Sequence, residues 1–333
     1  MTSTFSPLQS LTGRARVLTA GLAAGLLLAT GSAQAQSDYP SKSVHLVVSL
    51  APGGPADVLT RLIGDRLSKI WNQPVVVENK PGAGGNLAAA QVARTAGDGY
   101  TLLSTLDSVF TVNPSLYPNL GFETRDLVPV SNPASNGLML VANPALGAKS
   151  VADLVTRSKT RSLNYSSAGN GTPAHLATVL LARSTGMEAT HIPYKGAAPA
   201  VLAVLSGEVD IGILPVPAVL QHVNTGKLVA VAVTGRQRSV LAPSVPTLSE
   251  SGVKNADVSV SYGIFAPAAT PAAVIGKIHK DIATVMAQPD VKERLAKMDI
   301  SADAVDGKQF ADDLAATGKR WTEALKGSGI KVD

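Results

Sequence analysis

Two stretches of the chain run from a β-rich segment through a glycine turn into the start of an amphipathic helix. One reads Val47-Val48-Ser49-Leu50-Ala51-Pro52-Gly53-Gly54-Pro55-Ala56-Asp57, the other Asn164-Tyr165-Ser166-Ser167-Ala168-Gly169-Asn170-Gly171-Thr172-Pro173-Ala174-His175. Proline suits the first helical position, where its missing N–H would have no partner. Gly54 and Thr172 then read as N-caps, and Asp57 and His175 both fall at the third helical position. Glycine admits positive φ and close approach of a ligand to the backbone. A helix start adds unpaired N–H groups and the positive end of the dipole. Together these bind an anion without any formal positive charge. Two such turns, with prolines 118 residues apart, predict one per domain facing a shared cleft, which suits a carboxylate or dicarboxylate. Asp57 has two readings: it caps its own helix, or it binds an amino or hydroxyl group of the ligand. His175 divides in the same way between helix start and ligand contact.

Other chemistries lack their residues. The chain has no cysteine, which removes disulfides, thiolate metal sites and thiol nucleophiles. Its five histidines are scattered without HExxH spacing. Gly82-Ala83-Gly84-Gly85-Asn86-Leu87 carries leucine where a dinucleotide fingerprint needs its third glycine, and neither a Walker loop nor a GxSxG elbow occurs. Ser, His and Asp in another order leave a serine hydrolase open. No catalytic residue, metal ligand or cofactor is assigned.

The elements that must position the turns alternate between strand and helix. β-rich runs fall at 44–50, 75–78, 100–104, 138–142, 163–167, 189–193, 209–214, 228–234 and 258–266. Leu59, Ile63, Leu67 and Ile70 mark one helix face, and Val274, Ile278, Ile282 and Val285 mark another; both read as core packing. Ser150 and Asp153 form a capping-box variant. Strand–helix alternation predicts parallel sheets and an α/β class. From Pro271 to about Leu325 the pattern is mainly helical, with stops expected at Gly307 and Gly327.

Residues 1–35 read as a cleaved secretory signal peptide: Arg14 and Arg16, an apolar stretch from Val17 to Ala29, then Ala33-Gln34-Ala35. Its removal takes two positive charges and no negative one, lowering the net charge from +5 to +3. With no basic run left and aromatics at 4%, nucleic acid is not an expected partner. A periplasmic location follows.

The run LVVSLAPGGPADVLTRLIGDRLSKIWNQPVVVENKPGAGGNLAAAQVARTAGDGYTLL, with LNYSSAGNGTPAHLA, HIPYKGAAPAVLAVLSGEVDIGI, AVTGRQRSVLAPSVPTLSESG and IFAPAATPAAVIGKIHKDIATVMAQPDVKERL in the same order, resembles the Bug family. These are the extracytoplasmic solute receptors of tripartite tricarboxylate transporters. The resemblance implies a type II periplasmic-binding-protein fold, two α/β domains joined by crossing strands around a ligand cleft. It places domain 1 at residues 36–140 and 262–333 and domain 2 at 141–261, with Leu138–Ala142 and Tyr262–Ala266 as the crossing strands. Onto this sequence it carries the ligand-binding positions Pro52, Gly53, Gly54 and Asp57, then Ser166, Ser167, Gly169, Asn170, Gly171, Thr172 and His175. Asp107, Ser108 and Tyr194 match further cleft loops. The expected partners are a small carboxylate and the membrane subunits of a tripartite transporter, with the receptor a monomer.

Departures from the family pattern bear on specificity. Leu214-Pro215 stands where an Asp-Asn pair is common, and Ser261-Tyr262 where Trp-Phe is frequent; Leu214 and Tyr262 join the site on that account. Phe110 takes a position often small or polar. Losing the Asp-Asn pair argues against recognition of an α-amino group and for a larger, more apolar end of the pocket. A sensing partner of a membrane signalling protein, or an exported hydrolase or lyase using the same cleft, is the competing reading.

Overall fold

A computed structural model describes Thr2, residues 39–254 and residues 257–326. The expected signal peptide, Thr2 apart, and the expected stop at Gly327 lie outside the described residues. The chain divides into a leading unit, Met1–Ser41, and a main unit from Lys42 onward. The main unit carries every element that follows.

Its strands are β1 (Val44–Val48), β2 (Val75–Asn79), β3 (Thr101–Leu106), β4 (Leu127–Asn136), β5 (Leu138–Ala142), β6 (Leu163–Ser167), β7 (Ala189–Pro193), β8 (Ile211–Pro215), β9 (Val229–Val233), β10 (Val260–Pro267) and β11 (Ser301–Asp306). The helices are α1 (Pro55–Trp71), α2 (Asn86–Ala93), α3 (Ser108–Thr111), α4 (Asn113–Leu116), α5 (Val151–Ser158), α6 (Pro173–Thr185), α7 (Ala197–Ser206), α8 (Val216–Asn224), α9 (Ala272–Met286), α10 (Pro289–Ala296) and α11 (Gly307–Leu325). They build two sheets, of strand order β11-β4-β10-β3-β1-β2 and β7-β6-β8-β5-β9. In each sheet one half is parallel (β2, β1 and β3; β7, β6 and β8) and the other antiparallel. The alternation expected from sequence is therefore present, and Ser150 with Asp153 makes the expected capping box.

Two strands escape the sequence pattern. β4 carries Pro129 and Pro133, which argue against a central strand because proline cannot donate to a ladder. The structure accommodates Pro133 at an irregularity of both ladders, where register shifts separate Ala134 from Ser131 and Asn132. Pro129 lies beyond the stretch that pairs with β11. β11, Ser-Ala-Asp-Ala-Val-Asp, is an edge strand with little apolar signal. The expected helical stop at Gly307 is corrected: Gly307 opens α11, Asp306 caps it by accepting from the Gln309 N–H, and a Cβ at Gly307 would collide with the Pro129 carbonyl.

Each strand expected to cross lies within one sheet. β4 ends at Asn136 and β5 begins at Leu138, so the chain passes between sheets at Gly137 and returns between Val233 and Val260. The two passages touch backbone to backbone: a Cβ on Gly137 would lie 2.8 Å from Gly235 N and 3.1 Å from its Cα. Thr234, wholly buried, joins them. Its Oγ1 accepts from the Leu138 N–H (2.9 Å) and donates to the Val258 carbonyl (2.6 Å). Helix α11 makes a further link. Its Phe310 belongs to the core of the first sheet, with Val47, Leu103 and Phe265, while Trp321 and Ala324 pack with Leu176 and Leu180 of the second.

Thr234→Val keeps the shape of this side chain but leaves a buried N–H and a buried carbonyl without their hydroxyl partner. The expected cost is about 1–3 kcal/mol of stability, read as a lower urea midpoint with unchanged far-UV circular dichroism.

Candidate functional site

Both glycine turns lie on the sheet edges from which the chain crosses. In the first sheet β1 and β3 end there, and β10 begins there, with Tyr262 opposite Leu106. In the second, β6 and β8 end there, with Leu138 at the start of β5 opposite Pro215. The carboxyl ends of parallel strands next to a crossing form the crevice in which open α/β sheets bind ligands.

In the first turn Gly53 has φ +84° and Gly54 is the N-cap of α1, with Pro55 at N1 and no side-chain cap. Asp57 is buried and reaches back: its Oδ2 accepts from the Gly53 N–H at 2.9 Å and from Arg61 Nε at 3.1 Å. Its Oδ1 accepts from Asn79 Nδ2 at 2.8 Å and lies 3.0 Å from Arg61 Nη2. Burial pushes the carboxyl up, but these donors and the Arg61 charge outweigh it and hold Asp57 below the usual carboxylate range. Asp57 thus reaches back to the residue before the N-cap and shapes the turn. Arg61 and Asn79, which sequence reasoning missed, are its partners; Arg61 one helical turn beyond Asp57 was the available signal. Gly54 is extended at φ −77°, and a Cβ there meets only Ala51 O at 3.8 Å. The backbone conformation therefore calls for glycine at Gly53, Gly169 and Gly171 and not at Gly54.

The second turn repeats the device with different chemistry. Gly169 and Gly171 have φ +135° and +70°, Thr172 is the N-cap, and Pro173 opens α6. The Gly171 N–H donates to His175 Nδ1 at 3.1 Å, as the Gly53 N–H donates to Asp57. His175 stacks on His191 with centroids 3.7 Å apart, and His191 stacks in turn on Tyr165 at 4.9 Å. Burial, with the neighbouring His191, pushes His175 down to about 4; burial also lowers His191. Two stacked imidazoles thus support the turn in their neutral forms. His191 was missed, because nothing local in sequence pairs residues 175 and 191.

Ser166 and Ser167 are wholly buried. Ser166 Oγ donates to the Ala200 carbonyl at 3.0 Å. Ser167 Oγ lies 2.7 Å from His191 Nε2 and also engages the backbone of Gly169. This is a serine–histidine contact, but no carboxylate bonds His191 among the described residues, and the hydroxyl is closed to solvent. It serves to hold the turn. Pro52, Gly53 and Asn170 are exposed, with Gly171 and Thr172 half-buried.

The remaining expected residues divide. Asp107 and Ser108 follow β3 on the same edge. Burial raises Asp107 to about 7 against N–H donation from Ser261, its own backbone and Ser108, and against the Arg320 charge. Tyr262 donates to Asn136 Oδ1 at 3.0 Å, and Tyr194 donates to Glu208 at 2.8 Å. Leu214 is buried in the core behind the second sheet, and Phe110 stacks on Phe265 at 4.2 Å. Leu214 is wholly buried, whereas Phe110 is half-buried and packs against the core of the first sheet. A cavity of about 520 Å³ takes in Asp107 but no residue of either glycine turn. The two turns set helix starts with backbone donors on the edges at the crossing.

The chain matches the model of the tripartite tricarboxylate transporter family receptors over residues 59–330. It is 34% identical to protein BugT of Bordetella pertussis over 320 residues, covering 95% of this chain and 96% of BugT. Among solved structures it resembles an R. palustris protein with adipate (TM-score 0.74, 30% identity, 88% of this chain and 99% of that one). It also resembles MatC from Rhodopseudomonas palustris with bound malate (TM-score 0.69, 28% identity, 86% and 99%).

The His175 geometry predicts a pH dependence. Its pKa is lowered on folding, so the unfolded chain binds the extra proton first, and stability falls as pH drops from 6.5 towards about 4. Above 6.5 this contribution is fully present. His175→Gln, which keeps an acceptor for the Gly171 N–H but does not titrate, should flatten that slope in urea unfolding across the window.

Proposed function

The chain belongs to the tripartite tricarboxylate transporter family receptors, and from that membership we propose how its cleft works. It is a periplasmic solute receptor that captures a small carboxylate or dicarboxylate for delivery to the membrane subunits of a tripartite transporter. Two lobes, residues 36–140 with 262–333 and residues 141–261, hold the ligand between them and act as a monomer, without turning it over. The observation that carries the mechanism is the repeated device: Gly53 N–H on Asp57 and Gly171 N–H on His175, each fixing a glycine turn at a helix start. With those N–H groups satisfied internally, the donors left for an anion are those of the first helical turns. Relatives bound to adipate and malate support a dicarboxylate, one carboxylate to each turn. Pro52, Gly54, Asn170 and Thr172 shape the walls; Asp107, Ser108, Tyr194 and Tyr262 bound the cleft around them. Rotation about Gly137 and Gly235 closes the lobes, and the closed form presents a new surface to the membrane subunits. Delivery to the periplasm proceeds by cleavage after Ala35.

Adipate should raise the melting temperature of the mature protein, and its diamide should not, because binding to the native state stabilises it and the diamide lacks the charge that helix starts favour. Gly171→Val, at φ +70°, should weaken adipate or malate at least about tenfold, roughly 1.4 kcal/mol. Equal shifts from acid and diamide, or a folded Gly171→Val protein that binds like the wild type, would refute the double-turn mechanism.

N-terminal sequencing of periplasmic protein should begin at Gln36 or within a few residues. Intact Met1 recovered from a membrane fraction would overturn the cleavage.

A further inference from the structure

Helix α11 is held at both ends by different sheets. At its start Gly307 lies so close to the Pro129 carbonyl that a Cβ would not fit, and Phe310 fills the core of the first sheet. At its end Trp321 and Ala324 pack with Leu176 and Leu180 of α6, and Arg183 of α6 donates to the Glu323 and Lys326 carbonyls at 2.8 and 2.9 Å. A rotation of one sheet against the other is therefore taken up within α11, between Phe310 and Trp321. That stretch runs alongside the crossing. Asp313 lies 3.8 Å from Arg236, the neighbour of Gly235, and Arg320 lies 2.9 Å from Asp257, the neighbour of Val258.

Gly318 stands in this stretch without a packing cause. Glycine inside a helix is destabilising relative to alanine, because its backbone loses more freedom on folding. Gly64 in α1 has a reason to be glycine: a Cβ there would lie 3.2 Å from Val75 Cγ1 and 3.4 Å from Val77 Cγ2. At Gly318 a Cβ would make ordinary contacts, 3.7 Å to Thr111 Cα and 3.8 Å to its carbonyl oxygen, and the residue is helical. What glycine supplies there is backbone freedom, which hinge positions use to absorb changes in φ and ψ. Past Gly318 the helix touches the first sheet's elements lightly: Thr322 Oγ1 lies 3.4 Å from Ser115 Oγ of α4, and Trp321 shares its apolar cluster with Val112. Gly276 in α9 also meets nothing within 4 Å, but α9 packs on α1, β4 and β11, all on the side of the first sheet.

We propose that Gly318 is the hinge of α11, where the helix bends as the sheets rotate about Gly137 and Gly235. The part carrying Phe310 stays with the first sheet and the part carrying Trp321 moves with the second. The inference rests on the closing motion put forward above for ligand capture.

The chain has no cysteine, so spin labels introduced through Lys69→Cys and Lys227→Cys, exposed positions on α1 and just before β9, report the distance between the two sides. In the ligand-free mature protein, Gly318→Ala should narrow that distance distribution in pulsed electron paramagnetic resonance, and Gly276→Ala should leave it as in the wild type. Both variants should raise the urea midpoint, since alanine fits both sites and favours a helix. Adipate should bind Gly318→Ala at least about threefold more weakly than the wild type, and Gly276→Ala equally well. A merely structural glycine would not give a more stable protein that binds less tightly. The hinge is overturned by an unchanged distance distribution in Gly318→Ala, by a lower urea midpoint in that variant, or by equal changes in both variants. It is overturned as well if the wild type binds adipate and Gly318→Ala binds it equally. A wild type that does not bind adipate would count against the carboxylate reading alone, and the ligand-free distances would still decide the hinge.

Discussion

Thr234 sits where the chain returns from the second sheet, and its hydroxyl is bonded on both sides, to the Leu138 N–H and the Val258 carbonyl. Beside it Gly137 and Gly235 pass in backbone contact. A larger residue at either position would push the passages apart. The two chain passages between the sheets thereby meet at one narrow place, on the edges where β1, β3, β6 and β8 end. The placement of both glycine turns depends on this junction.

Each turn then solves the same local problem. A glycine with positive φ ahead of an N-cap leaves an N–H that must be satisfied before the turn is rigid. Asp57 and His175, both at N3, do this by reaching back one turn. The difference between them is electrostatic. Asp57 must be charged, and Arg61 and Asn79 keep it so. His175 must be neutral to accept, and burial against His191 keeps it so. Charge at the first turn is thus balanced by Arg61, while the second carries none, so both turns present mainly the backbone dipoles of their helix starts.

Helix α11 restrains how freely such a junction can move. It starts on the first sheet, where Asp306 caps it, and finishes among core residues of the second, where Arg183 donates to the Glu323 carbonyl at 2.8 Å and to that of Lys326 at 2.9 Å. Two polypeptide passages and one helix end therefore connect the sheets. A rotation between them has to be absorbed at Gly137, Gly235 and the last turns of α11.

The sequence by itself determined the local features: the α/β alternation, the caps at Gly54 and Thr172, the prolines at N1, and Asp57 and His175 at N3. Each follows from rules that act within a few residues, such as the missing proline N–H or the 3.6-residue period. The family was legible too, because long motifs recur in order. What needed the tertiary structure was every pairing across distance. The stacking of His191 on His175 and the hold of Asn79 on Asp57 join elements that no spacing connects. β4 and β11 were hidden because prolines and polar residues mask a strand whose ladders tolerate bulges. Leu214 looked like a pocket residue in sequence and is wholly buried, since which face of a strand end is buried is decided by packing against the neighbouring helices.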